Sequence, residues 1–176
     1  MIREQRMRVE HHAVLALGSN LGDREATMRA GIHDIAAVPG VVITGASSLV
    51  ETAALKPEGV VEDAPAYLNA VVTIRTALDP YDLLLAMHAI ERDHGRVRDV
   101  RWGDRTLDID VIEFGGLMIA SEDLTVPHPR AAERAFVLAP WVELQPNASL
   151  PGLGRIDALL AATGETPRLY PAEPLL

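Results

Sequence analysis

Apolar positions along the chain follow two spacings, and together they predict a short series of strands and helices. Apolar or alternating runs predict strands over residues 13–17, 41–49, 67–76 and 107–114. Apolar residues at helical spacing follow Asp23 and Asp79, and each Asp is suited to cap a helix N-terminus. The second helix is expected to end at Gly95.

The resulting order, βαββαβ, is that of a ferredoxin-like arrangement in the α+β class. We expect an antiparallel sheet with helices on one face, followed by C-terminal additions that include helices near 131–138 and 155–162. The length favours a single domain, which we expect over 13–163. It would lie between a flexible N-terminal extension at 1–12 and a Pro-rich tail at 164–176.

Composition narrows the class of protein. The 176 residues carry a net charge of −9 and no cysteine, which excludes disulfides, thiolate metal sites and a cysteine nucleophile. An acidic chain argues against nucleic acid or an anionic membrane as the main partner. The sequence has no run as long as a membrane span and no signal-like leader before the first strand, so we expect a cytoplasmic protein.

Segment 96–110 carries the most informative chemistry, because four arginines precede two carboxylates. Asp108 and Asp110 are two positions apart on a predicted strand, so their side chains leave the same face. Their mutual repulsion, about 3 kcal/mol at ~5 Å, requires an opposing cation, and Mg²⁺ is the natural candidate. The alternative is a structural ion network in which Arg101 and Arg105 neutralise the pair.

The arginines of this segment suit phosphate oxygens, which a guanidinium group binds through two parallel hydrogen bonds. Arg96 and Arg105 flank the loop and favour a phosphate role, whereas Arg98 and Arg101 suit phosphate binding and a solvated loop equally. Trp102 on a polar loop fits a lid that closes over a ligand, or packing against the loop base. The sequence has no P-loop or dinucleotide fingerprint, so phosphate handling would depend on arginine and metal.

Tyr67 and Asn69 lie opposite the apolar set of their predicted strand, and they could share a face with Asp108 and Asp110. An aromatic ring and an amide suit a flat heteroaromatic ligand. The alternative is a ring that half covers the core and an amide that bonds to a loop. The preceding segment 51–66 is predicted to be a long loop, and loops of that length are often functional.

Five motifs occur in the order found in one known family. They are Gly18-Ser19-Asn20-Leu21-Gly22, Tyr67-Leu68-Asn69-Ala70, Gly95-Arg96-Val97-Arg98, Arg101-Trp102-Gly103-Asp104-Arg105-Thr106-Leu107-Asp108-Ile109-Asp110 and Leu124-Thr125-Val126-Pro127-His128-Pro129. Over roughly residues 13–145 the chain therefore resembles the 6-hydroxymethyl-7,8-dihydropterin pyrophosphokinase family of the folate pathway. The fourth motif is the most specific of the five.

The resemblance implies an enzyme that moves the terminal diphosphate of ATP to the pterin hydroxymethyl oxygen and releases AMP. It implies two Mg²⁺ ions held by Asp108 and Asp110. The implied catalytic residues are Arg96, Arg98, Trp102 and Arg105, and the implied ATP-binding residues are Glu91, Arg96, Arg105, His128 and Arg134. The implied pterin-binding residues are Thr52, Leu55, Tyr67, Asn69 and Phe136. The expected partners are these two small substrates, without nucleic acid or membrane, and the expected assembly is a monomer or weak dimer.

Two other hypotheses stay open at this point. A metal-dependent phosphohydrolase would use the same Asp pair and would not need Tyr67 or Asn69. A non-catalytic ferredoxin-like binding module would carry the pair only in ion pairs. Residues 53–63 depart from the family pattern, in which Pro and Gly often occur early in this loop, so the backbone shape there is open.

Overall fold

The chain folds around one antiparallel sheet. The computed structural model of the protein describes residues 9–53, 55, 56, 59, 60, 65–95 and 106–176. The strands of these residues are β1 (His11–Ser19), β2 (Val41–Ala46), β3 (Val50–Thr52), β4 (Leu55–Lys56), β5 (Gly59–Val60), β6 (Tyr67–Thr76), β7 (Asp108–Phe114), β8 (Ile119–Ala120), β9 (Thr125–Val126), β10 (Ser149–Leu150), β11 (Gly154–Arg155) and β12 (Arg168–Leu169). Their helices are α1 (Arg24–Ala37), α2 (Pro80–Asp93), α3 (Ala135–Leu144) and α4 (Ile156–Thr163), with a 3₁₀ helix at Ala131–Glu133.

Within the described residues, the main sheet has six strands in the order β12-β3-β6-β1-β7, and β2 also pairs with β6. All of these pairs are antiparallel. The remaining strands form three short two-stranded ribbons, β4-β5, β8-β9 and β10-β11. The two central strands, β1 and β6, are thus covered by neighbours along both edges for most of their length.

The main core lies between the sheet and the first two helices. β6 alternates as the sequence predicted: the side chains of Leu68, Ala70, Val72 and Ile74 face this core. α1 and α2 supply Met28, Ile32, Ile35, Leu83, Met87 and Ile90 to the same cluster. Each buried side chain of this kind contributes on the order of 1.5–3 kcal/mol, so the face under α1 and α2 fixes the register of the strands.

The C-terminal additions cover part of the opposite face, where the sequence predicted no helix. Val14, Val71 and Ile112 point to that side and pack with Trp141 of α3 and Ile156 of α4. The predicted helix layer on one face consists of α1 and α2, and the C-terminal helices lie on the other face, which also carries Asp108 and Asp110. The physical reason is that β1, β6 and β7 alternate two apolar sets, one on each face, and the second set also needs cover.

Local signals in the sequence set the helix ends as predicted. Asp23 accepts a hydrogen bond from the Ala26 amide at 3.0 Å, and Asp79 accepts one from the Asp82 amide at 2.9 Å. Gly95 follows α2 with φ of 80°, the left-handed conformation expected after a helix C-terminus.

Two predicted elements differ in the structure. The strand predicted over 41–49 ends at Ala46, and a further strand, β3, begins at Val50. After Ala46 the buried Ser47 bonds to β6: its hydroxyl accepts the Val71 amide at 2.9 Å, and its own amide donates to the Val71 carbonyl. The helix predicted over 131–138 is a 3₁₀ turn and then α3, because Arg134 leaves helical geometry with ψ of 97°.

The segments at the two termini lie on the sheet. β1 begins at His11, inside the predicted N-terminal extension, of which residues 1–8 lie outside the described residues. In the Pro-rich tail, Arg168 pairs with Glu51 and Leu169 with Val50, which adds β12 to the edge of β3. In the part of the chain that the structure describes, none of the helices is long and apolar enough to span a bilayer.

Candidate active site

Three neighbouring strands bring predicted ligand groups into one row. Gly18 of β1 pairs with Asn69 of β6 on one side and with Asp108 of β7 on the other. The adjacent Leu17 and Ile109 face the core under α1 and α2, so the row faces the opposite way. A Cβ atom at Gly18 would lie 3.2 Å from Asn69 Oδ1. The predicted shared face of Asn69 and Asp108 is therefore confirmed.

Asp110 leaves the same face one pair further along β7, opposite Ala16. Its Oδ2 lies 3.6 Å from Arg134 Nη1 and 3.7 Å from His128 Nε2. The side chain of Asp110 is 31% exposed, so its carboxylate lies at the boundary between protein and solvent. Arg134 stands at the break before α3, where its backbone is extended with φ of −107° and ψ of 97°.

His128 is held beside β7 by hydrogen bonds of its backbone and its ring. Its amide donates to the Ile112 carbonyl at 2.9 Å, and its Nδ1 accepts from the Arg130 amide at 3.2 Å. Burial, and next the positive charge of Arg134, lower the pKa of His128 to about 4, although Asp108 acts in the other direction. The ring is thus neutral near pH 7, and because Nδ1 accepts, Nε2 carries the hydrogen towards Asp110.

The other end of the row carries the predicted pterin-binding groups. Asn69 is 6% exposed, and its Nδ2 donates to Thr52 Oγ1 at 2.9 Å. Thr52 pairs with Tyr67 across β3 and β6, which brings three of the predicted residues together. The backbone of Leu55 belongs to β4, while its side chain is outside the described residues.

Phe136 lies beside Arg134, at the Asp110 end of the site. The guanidinium carbon of Arg134 lies 5.6 Å from the centre of the Phe136 ring, a distance typical of a cation–π contact. The same arginine approaches Asp110. An aromatic ring predicted to stack on a pterin and a cation predicted to bind phosphate therefore adjoin each other.

Glu91, which was predicted to bind ATP, is buried and bonds to the backbone of β7. It is 1% exposed, and its Oε1 accepts the amide of Ile109 at 2.7 Å, between the two carboxylates of β7. Glu91 thus supports the backbone that carries Asp108 and Asp110. The sequence held a signal for this: Glu91 continues the i, i+4 spacing of the buried Leu83 and Met87 on α2, where an apolar residue is expected.

The remaining predicted site residues, Arg96, Arg98, Arg101, Trp102 and Arg105, lie outside the described residues. The positions that bracket their segment are described. A Cβ atom at Gly95 would lie 4.0 Å from Thr106 Oγ1, so the segment begins and ends at one place. That place is beside the start of β7, two positions before Asp108.

The donor set of the site fits a magnesium ion that binds together with ATP. Among the described residues, there is no group of three or more His, Cys, Asp or Glu side chains arranged to hold a metal. Asp108 and Asp110 present carboxylate oxygens on one face. Mg²⁺ is commonly held by one or two carboxylates, with water and substrate phosphates as its other ligands. The pair therefore suits such an ion better than one ligated by protein alone.

Comparison with known proteins shows to which family the chain belongs. The model of the 7,8-dihydro-6-hydroxymethylpterin-pyrophosphokinase (HPPK) family matches residues 14–146. The chain belongs to this family. The HPPK resemblance inferred from the five motifs is confirmed, and with it the assignment to a family of pyrophosphokinases.

Individual HPPK relatives agree with the family model. The 2-amino-4-hydroxy-6-hydroxymethyldihydropteridine pyrophosphokinase of Bacillus subtilis is 46% identical over 75% of this chain and 77% of its own length. The Pseudomonas aeruginosa protein of the same name is 40% identical over 84% of this chain and 89% of its own length. The mitochondrial folate synthesis bifunctional protein of Arabidopsis thaliana is 42% identical over 79% of this chain, but the match spans only 24% of that protein.

Solved structures share the fold. The chain is similar to the HPPK-DHPS triple mutant of Plasmodium falciparum, with a TM-score of 0.69 over 90% of this chain and 45% of that one. The sequences are 16% identical, so the likeness is one of fold. The predicted α+β class with an antiparallel sheet is thereby confirmed.

Proposed function

We propose that the protein transfers the terminal diphosphate of ATP to the hydroxymethyl oxygen of 6-hydroxymethyl-7,8-dihydropterin. The hydroxymethyl oxygen would attack the β-phosphorus, and the bond from that phosphorus to the oxygen bridging the α-phosphate would break. AMP would leave with that oxygen, and the hydroxyl proton would pass to solvent. The observation that carries the proposal is the row Asn69–Gly18–Asp108, in which an amide suited to a heterocycle and a carboxylate suited to a metal share one face.

The pterin would lie at the β6 end of the row. Tyr67 and Phe136 would contact its rings, and Asn69 would bond to its edge with the Thr52 hydroxyl holding the amide in place. Fixing the orientation of a flat substrate in this way is a large part of phosphoryl-type catalysis, because little covalent chemistry is left to the protein.

The triphosphate would lie at the β7 end. Asp108 and Asp110 would hold two Mg²⁺ ions, which when bound neutralise phosphate charge and align the attacking and leaving oxygens. Arg134 would add a fixed positive charge, and the Nε2 hydrogen of neutral His128 would donate to a phosphate oxygen. A neutral donor suits this place, since it needs no compensating charge when ATP is absent.

The segment between Gly95 and Thr106 would complete the site over the bound substrates. Arg96 and Arg105 would bind the transferred group, and Arg98 and Trp102 would cover it. Because Gly95 and Thr106 lie close together beside the start of β7, we expect the arginines between them to reach the Asp108 side of the row. Covering the site would exclude water, which competes as a nucleophile.

The test is AMP release from MgATP with and without the hydroxymethyl dihydropterin. Asp108→Asn and Asp110→Asn should each lower pterin-dependent AMP release by about 10²-fold or more while thermal unfolding is little changed. Glu113→Gln is the matched control, since this carboxylate lies on the same strand and accepts the Gly116 amide at its far end. Unchanged turnover in both Asp variants would refute the metal assignment.

The same assay separates the other hypotheses. Loss of ATP at equal rates with and without pterin would favour a phosphohydrolase. The absence of turnover, together with calorimetry that detects no Mg²⁺-dependent nucleotide binding, would favour a binding module. We also propose a cytoplasmic monomer or weak dimer, on the basis of the acidic, cysteine-free composition, and sedimentation across a concentration series tests the assembly.

A further inference from the structure

We propose that Arg24 is a positioning residue for the pterin end of the site: it holds together the two ends of the segment that joins β3 to β6. The inference rests on the proposed function. Arg24 is the first residue of α1 and lies outside the row described above.

One nitrogen of Arg24 joins both ends of that segment. Nη1 donates to Glu51 Oε1 at 2.9 Å and to the Ala66 carbonyl at 2.7 Å. Glu51 immediately precedes Thr52, and Ala66 immediately precedes Tyr67. Arg24 therefore acts on the backbone next to two of the residues assigned to the pterin.

The side chain of Arg24 is enclosed from a third direction by the C-terminal tail. Its guanidinium carbon lies 5.8 Å from the centre of the Tyr170 ring. Tyr170 is itself fixed, because its amide donates to the Leu49 carbonyl at 2.9 Å, just before β3. The side chains of Arg24 and Glu51 are each 23% exposed, so this is a partly buried pair held in one geometry.

A stabilising role for α1 alone would not explain an arginine at this position. The N-terminus of a helix carries a partial positive charge, so a cation in the first turn is disfavoured there. Glu51 and the Ala66 carbonyl offset that repulsion, and both belong to the segment ends rather than to the helix. The hydrogen bonds of Arg24 thus join α1 to the segment ends next to the proposed pterin residues.

The predicted consequence is restricted to one substrate. In the described residues, β3 and β6 are joined by three residue pairs, Val50↔Asn69, Glu51↔Leu68 and Thr52↔Tyr67. Without Arg24, this short ladder and the bond from Asn69 to Thr52 would remain to hold Thr52 against Asn69. The carboxylates lie on β7, which β1 separates from β6 in the sheet. Loss of Arg24 should therefore impair pterin binding and spare ATP binding.

Arg29 provides a matched control on the same helix. It is held by Glu25 at 2.9 Å and donates to the carbonyls of Glu173 and Pro174 at 2.7 and 2.9 Å. It has as many anchoring contacts as Arg24 and also secures the tail. It bonds neither Glu51 nor Ala66, so it separates general stability from positioning.

The experiment compares steady-state kinetics of Arg24→Ala, Arg24→Lys and Arg29→Ala, with each substrate varied while the other is saturating. Arg24→Ala should raise the pterin KM about tenfold, the effect of one or two lost hydrogen bonds, with the ATP KM within about twofold. Arg24→Lys should recover part of the loss, and Arg29→Ala should leave both KM values within about twofold. Equal rises in both KM values, or the same pterin effect in Arg29→Ala, would overturn the proposal.

A second measurement needs no substrate and keeps the outcome separate from that of the proposed function. Hydrogen exchange at residues 50–52 and 67–69 should quicken in Arg24→Ala and stay at the wild-type rate in Arg29→Ala. Glu51→Gln, which removes the charge and keeps the packing, should shift both readouts in the same direction if Arg24→Ala fails to fold. If the wild type shows no pterin-dependent AMP release, the proposed function fails. In that case unchanged exchange in Arg24→Ala or Glu51→Gln overturns the positioning role, and faster exchange upholds it.

Discussion

Replacing Gly18 by alanine is the smallest change that tests whether the row across β1 is the floor of the site. The new Cβ would point to the face shared by Asn69 and Asp108. It would lie 3.2 Å from Asn69 Oδ1, closer than ordinary van der Waals contact, and 3.8 Å from the Leu68 carbonyl. The amide of Asn69 must therefore move by a few tenths of an ångström or turn away from its bond with Thr52.

The expected change in the pterin KM follows from the displacement of one polar group, the Asn69 amide. A hydrogen bond between the Asn69 amide and the pterin contributes about 0.5–1.5 kcal/mol, which corresponds to a rise of about 2- to 12-fold in the pterin KM. The three atoms nearest to the added Cβ belong to β6, so the ATP KM should change much less. Stability should change little, because alanine in a strand recovers about 0.5–1 kcal/mol relative to glycine and offsets the tight contact.

The assay measures initial rates of AMP release with each substrate varied in turn. Gly45→Ala is the control, since a Cβ there would lie 3.0 Å from Thr73 Oγ1, a slightly tighter contact with another β6 side chain. Neither glycine has a positive φ, so neither replacement strains the backbone. A folded Gly18→Ala enzyme with an unchanged pterin KM, or a Gly45→Ala enzyme with the same rise, would refute the reasoning.

Two further predictions concern stability. Since the pKa of His128 is lowered from 6.5 to about 4, the folded state resists protonation between those values, and stability is lost as pH falls through this window. Urea unfolding should show that the wild type loses about 2–3 kcal/mol more than His128→Gln between about pH 7.5 and pH 4.5, whereas parallel losses would contradict the neutral ring. Ser47→Ala leaves the buried amide of Val71 without its acceptor and should cost about 1–3 kcal/mol in the same measurement, while a cost below about 0.5 kcal/mol would mean that another group replaces the hydroxyl.

Features of the fold that depend on local spacing were predictable from the sequence. The alternation over 67–76 places Asn69 on the face away from the main core, and the i, i+2 spacing does the same for Asp108 and Asp110. Helix caps at Asp23 and Asp79 depend on side chains three residues from their partners. In each case the interacting residues lie within one strand or one turn of helix. A short stretch of sequence is therefore enough to predict the feature.

Features that depend on how distant elements pack were not predictable in the same way. The proximity of Arg134 to Asp110 requires α3 to lie on the second face of the sheet, where no helix was expected. The contact between Glu91 and the Ile109 amide joins α2 to β7, and the docking of the tail on β3 joins segments more than a hundred residues apart. These contacts depend on the tertiary arrangement of distant elements. The sequence motifs indicated that arrangement only through the resemblance to a known family.

The sheet, rather than the loops, sets the distance between the two ends of the site. Adjacent strands lie about 4.8 Å apart, so the backbones at Asn69 and Asp108 are roughly 10 Å apart with β1 between them. Gly18 adds no side chain between them, so under the proposed function the interval would be open to the reacting parts of the two substrates. Under the proposed function, residues 96–105 would then supply charge and exclude water at a separation already fixed. Changes in that segment should therefore lower turnover, whereas changes at Gly18 or Arg24 should lower affinity for the pterin.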